Sequence, residues 1–228
     1  MHITEFEKLP VKMQTDSVKV YHEILINKKA SLFWKRFLEV ILCSFLFLLV
    51  SPFFLIFALL IKLTSRGPIL FKQERVGKDM RLFYILKFRT MVQDADKKGV
   101  QLTTNNDSRI TPFGRFLRAI NMDEMPQLLN VIKGDMSIIG TRPEVKRYVD
   151  VYTDEMYATL LLPPGMLSLA SVKYKDENSL LSGKEDPQKV YIEQILPDKM
   201  KYNLEYLKKL SVKEDMKLIG KSIACVFQ

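Results

Sequence analysis

The sequence predicts an α+β protein, mainly helical, in which a re-entrant membrane helix hairpin is joined to one compact cytosolic domain. An uncharged run of 22 residues, Val40–Ile61, is long enough to be embedded in a membrane. Two strand-like segments follow that run, and helical patterns separated by glycine and proline come after them. The expected organisation is an N-terminal extension over residues 1–34, the membrane hairpin over 35–63 and the domain over 64–228.

The amino-acid composition narrows the class of protein but does not identify its ligand. Lys and Arg number 35 against 26 Asp and Glu, and the resulting net charge of +9 suits nucleic acid, an anionic membrane surface or phosphorylated substrates. Cys43 and Cys225 have no pairing framework, so we expect reduced thiols. No cluster of Cys and His fits zinc. A metal should therefore be a hard, oxygen-bound ion such as Mg²⁺.

A proline interrupts the uncharged run and changes how the run can sit in a membrane. Pro52, after Ser51, removes a backbone donor and bends or breaks a helix. The halves, of about 12 and 10 residues, are roughly 18 and 15 Å long, too short to cross a hydrocarbon core of about 30 Å. Basic residues flank both ends alike, which favours a re-entrant hairpin over a kinked spanning helix. These cations are Lys28, Lys29, Lys35 and Arg36 before the run, and Lys62, Arg66, Lys72 and Arg75 after it.

Two strands and a turn come next. Ile69–Val76 is extended in pattern, Gly77–Asp79 is a turn signal, and Leu82–Met91 alternates in part. Lys87 and Arg89 have the same parity and should point to one face of the second strand. The polar residues 94–107 then indicate a loop.

Helices are predicted for most of the remaining chain. A basic amphipathic stretch, 115–120, precedes a short helix over Pro126–Lys133 that Gly134 ends. Thr141 and Glu144 have the spacing of a capping box for a helix running towards residue 160. Residues 188–227 are helical and rich in lysine, which is typical of a solvated or membrane-facing surface.

Asp123 and Glu124 are the most informative pair in the chain. The two histidines, His2 and His22, lie near the N-terminus, so acid, base or nucleophile chemistry falls to carboxylates, lysines or hydroxyls. On its own the pair is typical of a helix start, with Asp123 as the cap. Several cations share this region with two predicted helix N-termini, which favour anions. They are Lys87, Arg89, Arg109, Arg115, Arg118, Lys133 and Arg142.

The pattern predicts a site for a multiply charged phosphate ligand, with carboxylates that can hold Mg²⁺. A membrane-surface protein whose arginines face lipid head groups is the simpler alternative. The chain has neither a Walker-type loop nor a glycine-rich dinucleotide turn. A nucleic-acid reader is the weaker alternative, because no zinc, helix-turn-helix or RNP signature accompanies the basic residues.

Six motifs occur in order between residues 35 and 144. They are Lys35-Arg36 with Ser51-Pro52; Gly67-Pro68 leading to Lys72-Gln73-Glu74-Arg75-Val76-Gly77; Lys87-Phe88-Arg89-Thr90-Met91; Arg109-Ile110-Thr111-Pro112-Phe113-Gly114-Arg115; Asp123-Glu124-Met125-Pro126-Gln127; and Lys133-Gly134-Asp135-Met136-Ser137 leading to Gly140-Thr141-Arg142-Pro143. As an ordered set, they make the chain resemble the bacterial sugar transferases that act on polyprenyl phosphate, the monotopic phosphoglycosyl transferases. Any one motif is weak, whereas the set is highly specific.

The resemblance implies transfer of a sugar-1-phosphate from a UDP-sugar to undecaprenyl phosphate, with release of UMP. This would be the first membrane step in making capsule, exopolysaccharide, O-antigen or another glycoconjugate. In this family the Asp of the dyad is the nucleophile. The resemblance therefore implies that Asp123 forms a phosphosugar intermediate and that Glu124 assists, as proton acceptor from the lipid phosphate or as its positioner. Mg²⁺ would bridge Asp123 and Glu124 to the diphosphate.

The resemblance also implies roles for further residues and a location. The catalytic domain would lie on the cytoplasmic face of the bacterial inner membrane, in contact with the lipid bilayer. Downstream glycosyltransferases are candidate partners, and nucleic acid is not. The implied assignments are phosphate contacts for Lys87, Arg89 and Arg142, a hairpin break at Ser51 and Pro52, and an interfacial anchor at Lys35 and Arg36.

One segment departs from the family pattern. After Pro164-Gly165 the family has an Ile-Thr-Gly run, whereas this chain has Met166-Leu167-Ser168-Leu169-Ala170. Relatives use this segment in the donor-side pocket, so the sugar and base stay open, as does the role of residues 1–34. The alternative function is a non-catalytic membrane-anchored scaffold for assembly partners. A scaffold, however, has no need for both acids beside phosphate-binding cations.

Overall fold

The computed structural model describes residues 1–93, 95, 107–174, 180–181, 184 and 186–226. Helices predominate, and four short strands form two separate two-stranded sheets in this part of the chain. In chain order the elements are α1 (Asp16–Ile26), α2 (Lys29–Thr64), β1 (Leu70–Val76), β2 (Leu82–Phe88), α3 (Pro112–Ala119), α4 (Gln127–Lys133), β3 (Ser137–Ile139), α5 (Lys146–Val149), β4 (Gly165–Leu167), α6 (Leu169–Lys173), α7 (Pro187–Val190), α8 (Leu196–Lys209) and α9 (Val212–Val226). The predicted mainly helical α+β class is confirmed.

The uncharged run lies within one 36-residue helix, α2, which continues through Pro52. By length and composition alone this helix could cross a membrane. The expected division into two half-helices is not seen as a break in α2, and a membrane hairpin is therefore not established. The rings of Phe47 and Phe54, seven residues apart on either side of Pro52, are in contact, with their centroids 5.9 Å apart. Pro52 has no amide hydrogen to donate, so one backbone hydrogen bond of the helix is missing at this point.

Helix α2 rests on the domain along one face and is exposed along the rest. Cys43 belongs to a buried cluster with Ile85 of β2 and Val131 of α4. Nearer the other end of the helix, Ile61 is buried with Phe88 of β2 and with α3. Most other apolar side chains of α2, rich in Phe and Leu, remain exposed. An exposed apolar surface of this extent is typical of contact with a membrane or a partner.

The first sheet is the predicted hairpin. Strands β1 and β2 pair antiparallel, with Leu70 opposite Phe88 and Val76 opposite Leu82. Asp79 and Met80, both with left-handed backbone angles, form the turn between them. Strand β2 ends three residues earlier than predicted, but the Arg89 amide still donates to the Ile69 carbonyl and so continues the ladder.

The second sheet was not predicted. Strand β3 pairs parallel to β4, with Ser137 opposite Gly165 and Ile139 opposite Leu167. The backbones approach so closely that a Cβ atom at Gly165 would lie 2.1 Å from the amide nitrogen of Gly140. The pairing places the segment that departs from the family pattern directly beside the strand that leads to Arg142.

The predicted capping box is wrong. Helix α5 begins after Val145 and has no side-chain cap. The Glu144 carboxylate instead accepts a hydrogen bond from the Tyr191 hydroxyl at 2.6 Å. The helix expected to run towards residue 160 is limited to α5 and a separate 3₁₀ helix, Met156–Leu161. The predicted polar loop, 94–107, lies almost wholly outside the described residues.

The N-terminal residues pack into the main hydrophobic core. Leu9, Met13, Val18 and Leu25 are buried in the same cluster as Leu196 and other residues of the C-terminal helices. Thr15 caps α1 by accepting a hydrogen bond from the Val18 amide. The segment before α2 is thus built into the domain, whose predicted C-terminal helices are present as α7, α8 and α9.

Candidate active site

Asp123 and Glu124 lie in a 3₁₀ turn, Met122–Glu124, between α3 and α4. Asn121, in the left-handed region with φ 55°, turns the chain into it. Helix α4 begins later, and its N-terminus has no side-chain cap. The prediction that Asp123 caps a helix is therefore wrong. The 3₁₀ turn leaves both carboxylates available for other contacts.

Glu124 is held by two cations from different parts of the fold. Its Oε1 atom accepts from the Lys87 ammonium at 2.6 Å and from the Arg142 guanidinium at 2.9 Å. Burial disfavours the charged form, but the charges of Arg142 and Lys87 and their hydrogen bonds outweigh it and lower the pKa of Glu124 to about 2. Glu124 is therefore ionised at neutral pH. The structure brings together three of the predicted site residues here.

Asp123 has a different environment from its neighbour. Burial raises the pKa of Asp123, and the charge of Glu124 raises it further, while Lys87 and Arg118 act in the opposite direction. No salt bridge to Asp123 is formed within the part of the chain that the structure describes. Two adjacent acids thus differ in both pairing and basicity. Such a difference is typical of acids that have separate chemical roles.

Arg118 is one of the cations that the sequence places in this region, although it was not among the residues expected to contact phosphate. It lies at the end of α3, and its Nε donates to the Thr90 hydroxyl at 2.8 Å. Its charge lowers the pKa of Asp123, so it belongs to the surroundings of the dyad. The signal available in the sequence was its position five residues before Asp123, on a helix that turns directly into the dyad.

Arg89 is not part of this ion-pair group. Its guanidinium lies at the end of α2, where it donates to the carbonyl and the hydroxyl of Ser65 at 2.8 and 2.7 Å. Lys87 and Arg89 were predicted to point to one face of β2. Lys87 contacts Glu124, whereas Arg89 contacts Ser65. Burial lowers the pKa of the Arg89 guanidinium.

Lys35 and Arg36 contact the domain instead of an interface with lipid. Lys35 is 3% exposed, and its ammonium pairs with Asp215 at 2.6 Å and with Glu39 at 3.0 Å. Arg36 donates to the carbonyls of Val131 and Ile132 at the end of α4. The expected interfacial anchor is thus corrected for Lys35, because its charge is neutralised inside the protein. At the predicted hairpin break, the Ser51 hydroxyl donates to the Leu48 carbonyl one turn before Pro52.

Comparison with known proteins places the chain in a family. The model of the bacterial sugar transferase family matches residues 30–228, and these residues include the dyad, Lys87 and Arg142. The chain belongs to the bacterial sugar transferase family. The resemblance inferred from the ordered motifs is confirmed.

Relatives of this bacterial sugar transferase carry names for one type of reaction. A UDP-glucose:undecaprenyl-phosphate glucose-1-phosphate transferase of Caulobacter vibrioides is 36% identical over 83% of this chain and 68% of its own length. A UDP-N-acetylgalactosamine-undecaprenyl-phosphate N-acetylgalactosaminephosphotransferase of Aeromonas hydrophila is 35% identical over 85% of this chain and 44% of its own. A putative undecaprenyl-phosphate N-acetylgalactosaminyl 1-phosphate transferase of Bacillus subtilis is 36% identical over 61% and 79%. The chain spans less than half of the Aeromonas relative.

The sugar transferase dyad fits one kind of metal site. The described residues contain no group of three or more His, Cys, Asp or Glu side chains that could enclose an ion. Mg²⁺, however, is commonly held by one or two carboxylates together with water and substrate phosphates. Asp123 has no cation partner among the described residues, and only Oε1 of Glu124 is hydrogen-bonded to the two cations. These oxygens fit an ion that a phosphorylated substrate brings with it.

Proposed function

We propose that this sugar transferase transfers a sugar-1-phosphate from a UDP-sugar to undecaprenyl phosphate and releases UMP. The names of the relatives support the reaction class. The observation that carries the proposal is the asymmetry of the dyad: Glu124 is ionised and paired with Lys87 and Arg142, while Asp123 is unpaired in the described structure and more basic. A binding surface for lipid head groups does not require that difference.

In the proposed first step, a carboxylate oxygen of Asp123 attacks the β-phosphorus of the UDP-sugar. A bond forms between that oxygen and phosphorus, and the bond from the β-phosphorus to the bridging oxygen breaks, so that UMP leaves with the electron pair. A phosphate oxygen of undecaprenyl phosphate then attacks the same phosphorus and releases Asp123. The carboxylate acts as a nucleophile that divides one difficult displacement into two. Lys87 and Arg142 would offset the charge of the diphosphate.

Glu124 serves better as a positioning residue than as a proton acceptor. A carboxylate with a pKa of about 2 is a weak base at neutral pH. Its Oε1 atom is already shared by two cations from β2 and from the segment after β3. We therefore assign to Glu124 the role of holding Lys87 and Arg142 beside Asp123.

We also propose that Mg²⁺ takes part, with Asp123 and Glu124 as its protein ligands. When bound, the ion would neutralise charge on the diphosphate. The residues of the chain do the rest: they orient the phosphates through Lys87 and Arg142 and present the Asp123 oxygen. Removal of divalent ions with EDTA should abolish turnover, and added Mg²⁺ should restore it.

The proposed setting is the bacterial inner membrane, with α2 as a re-entrant element and the catalytic domain on the cytoplasmic face. Pro52 in the middle of the uncharged run and the exposed apolar surface of α2 support this arrangement. Cysteine labelling before residue 35 and after residue 62 should report the same side of the membrane. Labels on opposite sides would establish a spanning helix instead. Downstream glycosyltransferases that extend the lipid-linked sugar are the proposed partners.

The decisive experiment measures transfer of radioactive sugar phosphate to undecaprenyl phosphate. Asp123→Asn should lose at least about 10³-fold in turnover, because an amide is a poor nucleophile. Asp154→Asn, an exposed change of the same type, should transfer as the unchanged protein does. Normal transfer by Asp123→Asn would rule out the covalent mechanism, and no transfer by the unchanged protein with any UDP-sugar would favour the scaffold. A panel of UDP-glucose, UDP-galactose and their N-acetylated and deoxy-amino derivatives identifies the donor.

A further inference from the structure

Glu144 is a buried carboxylate only two residues after Arg142, and its partners come from the C-terminal helices. The residue is 8% exposed. Its Oε1 atom accepts a hydrogen bond from the Tyr191 hydroxyl at 2.6 Å and lies 3.9 Å from the Lys199 ammonium. Lys199 also donates to the Tyr191 hydroxyl at 3.2 Å. Tyr191 and Lys199 are 4 and 6% exposed. These three side chains therefore form an enclosed polar group beside the segment that carries Arg142.

The main chain that follows Arg142 is held by β1. The Val76 amide donates to the Glu144 carbonyl at 3.0 Å, and Nη1 of Arg75 donates to the Pro143 carbonyl at 3.2 Å. The proline ring also fixes one backbone angle between Arg142 and Glu144. A change in the side-chain pairing of this segment would therefore not require a change in its main chain.

Glu144 is a second carboxylate with which Arg142 could pair. Burial lowers the pKa of the Arg75 guanidinium; the charge of Glu144 raises that pKa, and the charge of Arg142 lowers it further. Glu144 and Arg142 thus lie within electrostatic reach of the same group. The Arg142 side chain is 40% exposed and donates to Glu124 at 2.9 Å, whereas the Glu124 side chain is 27% exposed. Because opposite charges attract more strongly away from water, an unpartnered Glu144 would draw Arg142 away from the dyad.

Tyr191 is well placed to prevent that exchange. A buried carboxylate needs donors, and a hydroxyl that donates to a charged oxygen supplies a strong hydrogen bond. The Tyr191 ring is itself fixed, with its centroid 4.7 Å from that of Tyr148 and 5.1 Å from the Lys199 ammonium. Tyr191 also begins a π-helical turn, Tyr191–Ile195, between α7 and α8. Such turns are frequent at functional sites.

We propose that Tyr191 is a positioning residue: together with Lys199 it holds the Glu144 carboxylate, and so leaves Arg142 to pair with Glu124. Tyr191 acts through Glu144 and does not contact the dyad. The importance of this pairing for substrate rests on the proposed function, in which Arg142 receives the diphosphate of the donor. The C-terminal helices thereby contribute to the site as well as to the hydrophobic core.

Binding of UDP tests the proposal without requiring turnover, because UDP has the diphosphate of the donor but no sugar to transfer. Tyr191→Phe keeps the ring and frees Glu144 to pair with Arg142, so the affinity for UDP measured by calorimetry should fall about 10-fold. Tyr21→Phe is the matched control. Tyr21 is 3% exposed, lies in the same hydrophobic cluster and donates to Glu155 at 2.5 Å. It should lose stability but no affinity. Equal losses of affinity would overturn the proposal.

A second substitution distinguishes the charge of Glu144 from simple loss of packing. Glu144→Gln, added to Tyr191→Phe, removes the charge that would attract Arg142. The double variant, once thermal unfolding has shown that it is folded, should bind UDP more tightly than Tyr191→Phe does. If Tyr191 only supported the fold, the additional loss of a polar contact would weaken binding further. A folded double variant without any recovery would overturn the assignment.

Thermal unfolding at pH 7 separates failure of this proposal from failure of the proposed function. In the unchanged protein, Glu124→Gln removes the carboxylate that pairs with Arg142. In Tyr191→Phe that pairing should already be lost, so Glu124→Gln should lower Tm less than it does in the unchanged protein. Equal decreases would overturn the proposal, whether or not UDP binds. Unequal decreases in a protein that does not bind UDP would contradict the proposed donor site and support the role of Tyr191.

Discussion

Two charged clusters of this molecule each contain a lysine and two carboxylates, but the ion pairs between these groups differ. In the buried cluster, Lys35 pairs with Glu39 and Asp215, and the three side chains are only 2, 7 and 11% exposed. In the dyad, Lys87 pairs with Glu124 but not with Asp123, and the paired side chains are 23 and 27% exposed. One cluster is closed to ligands, and the other is partly open.

Hydrogen bonds show what the closed cluster does. The Ser137 hydroxyl and the Ile138 amide both donate to Glu39, and the Tyr206 hydroxyl donates to Asp215 at 2.6 Å. Helix α2 is thereby tied to β3 and to the C-terminal helices. At the dyad, Asp123 forms no salt bridge with the described residues, which leaves its oxygens available for the proposed reaction. A charge whose partners are all protein groups contributes to the fold, whereas one without such a partner is available for chemistry.

The largest expected effect breaks the closed cluster. Lys35→Met removes the cation that pairs with both Glu39 and Asp215 and should cost about 3–5 kcal/mol of stability, because two buried acids lose this counter-ion. Thermal unfolding should show a Tm lower by roughly 10 °C for a domain of this size. Lys29→Met, at an exposed lysine in the first turn of the same helix, is the control. Equal shifts in the two variants would mean that the burial of Lys35 contributes nothing.

The second effect depends on pH and concerns Glu124. The folded pKa is about 2 and the unfolded value 4.5, so the ion pairs stabilise the fold above pH 4.5 and lose that contribution as pH falls from 4.5 towards 2. Glu124→Gln should lower Tm at pH 7, where two cations lose their carboxylate, and the difference should shrink as pH falls through this window. A constant difference down to pH 2.5 would contradict the assigned ion pairs.

Asp123→Asn should give a smaller change of opposite sign. Because burial raises the folded pKa of Asp123 above its unfolded value, the protonated form is favoured in the fold and ionisation at pH 7 costs stability. The neutral amide should therefore raise Tm slightly while turnover is lost. A lower Tm for Asp123→Asn would show that Asp123 contributes to the fold as Lys35 does.

Sequence patterns predicted the parts of this comparison that depend on neighbouring residues. The β1–β2 hairpin follows from alternation and a turn signal, and Gly134 ends α4 in the left-handed region as expected. The contact of Lys87 with Glu124 spans 37 residues and was anticipated only as a gathering of cations. The ordered motifs identified the family.

The features that the sequence did not predict depend on contacts between residues that are far apart in the chain. Lys35 pairs with Asp215 across 180 residues, and no local pattern distinguishes such a lysine from an interfacial one. Glu144 has the spacing of a capping residue, but Tyr191, 47 residues away, takes its carboxylate. The parallel β3–β4 pair likewise depends on a close approach of two glycines from separate segments.

The smallest expected effect comes from an exposed ion pair with the same four-residue spacing as Lys35 and Glu39. Glu205 and Lys209 are four residues apart on α8 and pair at 2.5 Å, as Lys35 and Glu39 do on α2 at 3.0 Å, but their side chains are 48 and 63% exposed. An exposed pair gains little, because water and salt screen it and two long side chains lose freedom. Lys209→Ala should therefore shift Tm by less than about 1 °C, and 1 M salt should abolish even that shift. The Lys35→Met loss should persist at 1 M salt, since ions do not reach a buried pair. If salt reduced both losses alike, burial would not be what separates the two clusters.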